Sequence, residues 1–112
     1  CGYCKRFERD LAKVDNVTIY LFLYPVLGPN SVEKSKAVWC AKDPATAWSD
    51  MMTRDQAPAA ATCNTAAIDR NTEFGRKHKI TGTPTLIAQD GTRVPGAIST
   101  PQIEKLLADA SK

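Results

Sequence analysis

The stretch CGYCKRF, residues 1–7, sets two cysteines two residues apart at the head of a helical pattern. Over residues 2–14, Cys4, Phe7, Leu11 and Val14 recur at spacings of three and four and so share one helix face. Lys5, Arg6, Arg9 and Lys13 lie largely away from that face. Cys1 then falls at or just before the helix N-terminus, and Cys4 on the inward stripe. The first turn of a helix leaves N–H groups unpaired, and the macrodipole places about half a positive charge there. Both favour a thiolate on Cys1; cysteines so placed have pKa values of roughly 3.5–7, against about 8.5 for the free residue. Cys4, one turn on and turned inward, would stay a thiol until called on to resolve a mixed disulfide. Two other readings of the pair stay open. It could be half of a zinc site, with Cys40 and Cys63 as the remaining ligands, although those two are far apart and form no second short knuckle. It could also be a structural bridge, closing so small a loop that it would gain little chain entropy.

Outward from this helix, VTIYLFLY, residues 17–24, is an uncharged, β-branched and aromatic run. It reads as a strand covered on both faces, as in a parallel sheet. Pro25, Gly28 and Pro29 end it. Asn30 with Glu33 has capping-box spacing and predicts a helix over 31–42 carrying Val38, Trp39 and Cys40. Asp43-Pro44 is an N-cap followed by proline at the first helical position, which predicts a helix over 44–53 with Ala47, Trp48, Met51 and Met52. The Ala/Pro-rich DQAPAAATC reads as a loop ending at Cys63. A further helix is expected over 65–78, with Ile68 and Phe74 as anchors. TGTPT, residues 81–85, puts Pro84 at the start of an apolar strand, where a proline is tolerated and a cis bond would be a deliberate feature. TLIAQDGTRVPG is a hairpin signal, with Asp90-Gly91 predicted to form a two-residue type I′ turn. The last helix starts near Ser99–Pro101 and should bury Ile103, Leu106, Leu107 and Ala110.

The 112 residues suit one domain, and a hydrophobic fraction of 43% is enough for a core. A net charge of +3 with dispersed lysines and arginines gives no basic block for nucleic acid. No apolar run approaches the roughly 18–20 residues of a membrane span, so membrane insertion is not expected. Four cysteines are an even count and, if paired, imply an oxidising compartment.

Taken together, CGYC, VWCAKD around Cys40, Cys63, TGTPT and DGTRVPG resemble the thioredoxin superfamily, and within it the bacterial periplasmic disulfide isomerases of the DsbC/DsbG type. The resemblance runs from Cys1 to about residue 110. It implies an α/β thioredoxin-like fold with a helical insertion, at about 30–79, between the second strand and the C-terminal hairpin. Residue by residue, it makes Cys1 the nucleophile and Cys4 the resolving thiol. Pro84 becomes a cis-proline facing them, and Thr83 offers its backbone to an extended substrate by strand addition. Gly2 and Tyr3, between the cysteines, are candidate substrate contacts. Cys40 and Cys63 are implied to form a structural disulfide, with two buried free thiols as the alternative. The implied activity is protein disulfide isomerisation in the Gram-negative periplasm on mis-bridged secreted proteins. No cofactor and no metal are implied, because the cysteines carry the electrons. The implied partners are a membrane thiol reductase of the DsbD type and, given an upstream dimerisation domain, a second copy. A dithiol oxidase or reductase, a zinc-stabilised binding module and a redox-inactive chaperone-like domain are the rivals.

In such a fold a central strand precedes the C-x-x-C helix, between 17–24 and 85–89. Its absence would leave a slot near 9–10 Å wide, since neighbouring strands lie about 4.8 Å apart. The natural polypeptide is therefore expected to supply a strand upstream of Cys1, or a separate segment to fill the slot. His78 reads as a surface residue at a helix end, and Trp39 and Trp48 as packing residues.

Overall fold

The computed structural model describes residues 2–112. Its described residues form, in order, α1 (Gly2–Leu11), α2 (Pro29–Trp39), α3 (Pro44–Arg54), α4 (Ala66–Lys77), β1 (Leu86–Ile87), β2 (Arg93–Val94) and α5 (Thr100–Ala110). They group into two compact units. One holds the chain up to Ile19 together with Gly82–Lys112, and the other holds Tyr20–Thr81.

In the first unit, α1 and α5 pack through Phe7, Leu11 and Ile103, with Val14, Leu86, Ala97, Ile98 and Leu107 against them. The face expected of α1 is thus the one that meets the core, although the helix stops at Leu11 rather than near residue 14. Thr100 fastens the two helices further, its hydroxyl donating to the Asp10 carbonyl at 2.9 Å and lying 3.0 Å from the Asp10 carboxylate. At the start of α5, Ser99 and Gln102 form a capping box, and Pro101 lies in its first turn. Ile103 and Ala110 are buried, while Leu106 and Leu107 are half-buried.

The hairpin pairs Leu86 with Val94 and Ile87 with Arg93, antiparallel. Its turn differs from the expected type I′. Only Gly91 has a positive φ, 90°. The Gly91 and Ala88 N–H groups donate to the carbonyls of Ala88 and Thr92, both at 2.9 Å, so Gln89-Asp90-Gly91 make a three-residue loop. The Asp90 carboxylate accepts from the Thr92 N–H at 2.9 Å and satisfies the chain locally, without the left-handed φ that a type I′ turn asks of it.

In the second unit, Leu23, Val38 and Ile68 form the core, flanked by Ala47, Trp48 and Met51. Burying a side chain as completely as Val38 contributes about 1.5–3 kcal/mol. α3 begins as expected: Asp43 caps it by accepting from the Thr46 N–H at 3.2 Å, and Pro44 follows. α2 begins earlier than the Asn30–Glu33 spacing predicts. Gly28, at φ 108°, makes the turn and Pro29 supplies the first helical residue with φ already set, so Asn30 lies inside the helix. Ile68 anchors α4, but Phe74 does not; it is 53% exposed and stacks on His78 at the helix end. Trp39 is exposed too, its indole N–H donating to the Asn64 carbonyl at 3.1 Å.

The segment 17–24 is the main departure from expectation. It is not a strand, and among the described residues the sheet contains only β1 and β2. Tyr20 and Phe22 are 81% and 70% exposed, and Ile19 and Leu21 are exposed as well. Among the described residues, no backbone–backbone hydrogen bond engages 17–23. Strand propensity alone does not make a strand: with no neighbouring ladder, this apolar run stays open to water. Only its C-terminal end is held. Leu23 enters the core, its carbonyl accepts from Asn71 Nδ2 at 3.0 Å, and the Tyr24 hydroxyl donates to the Ile80 carbonyl at 2.7 Å.

Candidate active site

Cys4 lies on the first turn of α1, half-buried, and is held in a disulfide. Cys1, the expected nucleophile, lies outside the described residues. Gly2 and Tyr3 open the helix on its exposed side, with Tyr3 72% exposed. Phe7, one turn beyond Cys4, is locked into the core, so the turn that carries the sulfur is set by a packed neighbour.

Thr83 and Pro84 belong to the same unit as Cys4. The bond between them is cis, and both residues are half-buried. The Thr85 hydroxyl donates to the Gly82 carbonyl at 2.8 Å and draws the loop together around the imide. Leu86, two residues on, packs against Phe7, Leu11 and Ile103. The helix turn with Cys4 and the loop with Pro84 are thus anchored on one apolar cluster, Phe7 beyond the former and Leu86 beyond the latter.

Cys40 and Cys63 are bonded to each other, with an S–S distance of 2.07 Å and Cα atoms 5.5 Å apart. The bridge lies in the Tyr20–Thr81 unit and ties the C-cap of α2 to the segment ahead of α4. Sulfurs spent in a disulfide are not thiolate ligands, which removes two of the four ligands the zinc reading required. His78 caps the C-terminus of α4, exposed, as its polar surroundings suggested.

Some residues that shape these units carry little or no signal in the sequence. Thr100 bonds Asp10 across a separation of 90 positions, and nothing local marks it. Gly75 does leave a signal, as an isolated glycine within a helical pattern. It is buried where a Cβ would overlap the Tyr24 ring.

A C-x-x-C helix and a cis-proline loop anchored on one core define the thioredoxin-like class. A family model for the thioredoxin-like domain matches residues 1–111. Over 107 residues the chain is 44% identical to a probable thiol:disulfide interchange protein DsbC of Bordetella pertussis, covering 96% of this chain and 38% of that protein. It is 31% identical over 116 residues to the thiol:disulfide interchange protein DsbC of Escherichia coli K12, covering 100% of this chain and 48% of that one. The crystal structure of a disulfide interchange protein from Neisseria gonorrhoeae superposes with a TM-score of 0.93 at 31% identity, covering 100% of this chain and 81% of that chain. The chain belongs to the thioredoxin-like family, on its DsbC-like branch. It spans less than half the length of these two DsbC relatives. No helix among the described residues is long and apolar enough to cross a membrane.

Proposed function

We propose that this protein exchanges thiols and disulfides through Cys1 and Cys4, and that its main reaction is the isomerisation of wrongly paired disulfides in secreted proteins. The observation that carries the reading is Cys4 itself: a half-buried sulfur in the first turn of a helix, already in a disulfide, on a chain whose relatives are named for this exchange. The Cys1 thiolate attacks one sulfur of a client disulfide. An S–S bond forms between enzyme and client, and the other client sulfur leaves as a thiolate. In isomerisation a client thiolate then attacks the mixed disulfide, a new client bridge forms and Cys1 is released, with no net change in electrons. If Cys4 attacks first, the enzyme leaves with a Cys1–Cys4 bridge and the client gains two electrons. Continued isomerisation then requires a thiol reductase, of the membrane DsbD type, to return the enzyme to its dithiol form.

Thr83 and Pro84 hold an extended client segment in this scheme, with Gly2 and Tyr3 beside the sulfurs. The Cys40–Cys63 bridge is structural. The reaction belongs in the periplasm, where disulfides persist. Residues 1–112 are the catalytic domain, with the insertion at about 30–79. A strand upstream of residue 1 lies along 17–24, supported by the unladdered, solvent-facing apolar residues there. A dimerisation domain further upstream would make the protein a homodimer.

Refolding of a ribonuclease with scrambled disulfides tests the reaction. The expected result is recovery of ribonuclease activity with the native pair, loss of all recovery in Cys1→Ser, and accumulation of mixed disulfide in Cys4→Ser. Net oxidation or reduction without reshuffling would instead make the protein an oxidase or reductase with the same site.

A further inference from the structure

Within the Tyr20–Thr81 unit, an open groove of about 510 Å³ lies beside the C-terminal turn of α4. Tyr24, Val26, Gly75 and Ile80 contribute its apolar walls, and Arg76 and Lys79 stand among them. The walls are preformed. Gly75 lets the Tyr24 ring lie directly on the helix, and the Tyr24 hydroxyl is bonded to the Ile80 carbonyl. Arg76 is neutralised by Glu73, to which it donates from Nε at 3.0 Å. Lys79 has no ion-pair partner among the described residues, and its backbone is fixed at φ 57°. The groove therefore offers an apolar surface with one uncompensated cation at its side. In sequence, Ile80 and Thr81 run directly into Gly82-Thr83-Pro84.

We infer that this groove is a peptide subsite, which takes an apolar side chain of an extended polypeptide and pairs Lys79 with a carboxylate next to that side chain. Its openness suits one side chain of a passing chain better than an enclosed small molecule. The apolar contact supplies most of the attraction, and the lysine supplies a preference for acidic neighbours. A misfolded client offers such segments, so the inference rests on the proposed function and adds a substrate preference to it.

Titration of the 15N-labelled protein with three blocked pentapeptides tests this. Gly-Glu-Leu-Glu-Gly should bind and shift the amides of Gly75, Arg76, Lys79 and Ile80. Gly-Lys-Leu-Lys-Gly and Gly-Glu-Gly-Glu-Gly should bind more weakly. Lys79→Asn, a residue that tolerates the left-handed φ, should weaken the first peptide about two- to fivefold, the size of one exposed ion pair. That loss should vanish in about 1 M salt, where screening reaches about 3 Å. Val26→Asp, at an exposed site, should abolish the preference for the acidic probe. Equal binding of the lysine-flanked probe, equal binding without leucine, or shifts confined to other residues would overturn the subsite, and each of these outcomes can be read on the unmutated protein alone. Exchange with oxidised glutathione, followed on the unmutated protein, tests the proposed reaction separately. Failed exchange with intact peptide binding sinks the proposed reaction and supports the groove; the converse sinks the groove and supports the reaction.

Discussion

Gly75 is the residue at which two tendencies oppose each other most plainly. In a helix interior alanine is favoured over glycine by about 1 kcal/mol. Here a Cβ would overlap the Tyr24 ring, whose hydroxyl is tied to the Ile80 carbonyl at 2.7 Å. Overpacking of this kind costs about 1–3 kcal/mol, and displacing the ring also endangers a hydrogen bond worth about 1 kcal/mol. The overlap should win. Gly75→Ala is expected to lower the unfolding free energy by roughly 1–2 kcal/mol, the net of these opposing effects. In a Tyr24→Leu background the same change should become neutral or stabilising. Urea unfolding of the four proteins in this cycle measures it, and additive effects of the two changes would refute the contact. Sequence legibility divides here along the same line. A glycine amid helix formers is visible in the sequence, but its partner lies 51 positions upstream, 75 minus 24, and only the fold brings the two together. Cys4 is legible because its chemistry depends on its own helix; the role of Thr100 depends on a bond to Asp10 and is not.

At the level of elements, caps are readable and partners are not. Asp43-Pro44 and Ser99-Thr100-Pro101-Gln102 announce helix starts by local chemistry, and both helices begin there. Ser99→Ala removes the side chain that faces the Gln102 N–H, at 3.4 Å, and should cost about 1 kcal/mol of stability by denaturant titration. A cost near zero would mean that Pro101 and the packing of Ile103 suffice to start α5. At α3 the prediction concerns pH. The Thr46 hydroxyl, and then its backbone N–H, hold the Asp43 carboxyl below its ordinary pKa. A carboxyl depressed on folding stabilises the native state above its unfolded pKa, and that help is lost as pH falls through the folded value. Melting temperatures followed from neutral pH into the acid range should therefore fall less steeply in Asp43→Asn than in the native protein. An unchanged slope would mean that the cap is not formed in solution. The hairpin and the 17–24 segment show what local reading misses. Asp90-Gly91 marks the turn but not its length, which the Asp90–Thr92 bond decides. VTIYLFLY has strand composition, yet strandhood is a relation between two segments, and this one has no ladder partner among the described residues.

For the molecule as a whole, the 17–24 segment and the Cys40–Cys63 bridge govern stability from opposite directions. The bridge joins residues 23 positions apart around α3. In the chain-entropy account it restrains the unfolded ensemble by about 3.5 kcal/mol, a large part of the usual 5–15 kcal/mol of a domain. The double variant Cys40→Ala/Cys63→Ala should lose about that much by urea unfolding, and a loss under about 1 kcal/mol would make the bridge incidental. The 17–24 segment works the other way, because it leaves apolar side chains and backbone groups facing water. An uncharged, apolar run whose backbone groups lack ladder partners among the described residues is a template for a strand laid alongside it. If a preceding segment lies along it, as proposed, the amides of Ile19–Leu23 should exchange slowly with solvent in a polypeptide that carries that segment, and fast in residues 1–112 alone. A difference of about a hundredfold would correspond to roughly 2.7 kcal/mol of local stability. Slow exchange in residues 1–112 alone would show that the segment is already paired. Fast exchange in both would show that the preceding segment goes elsewhere, and the exposed Tyr20 and Phe22 would then need another cover.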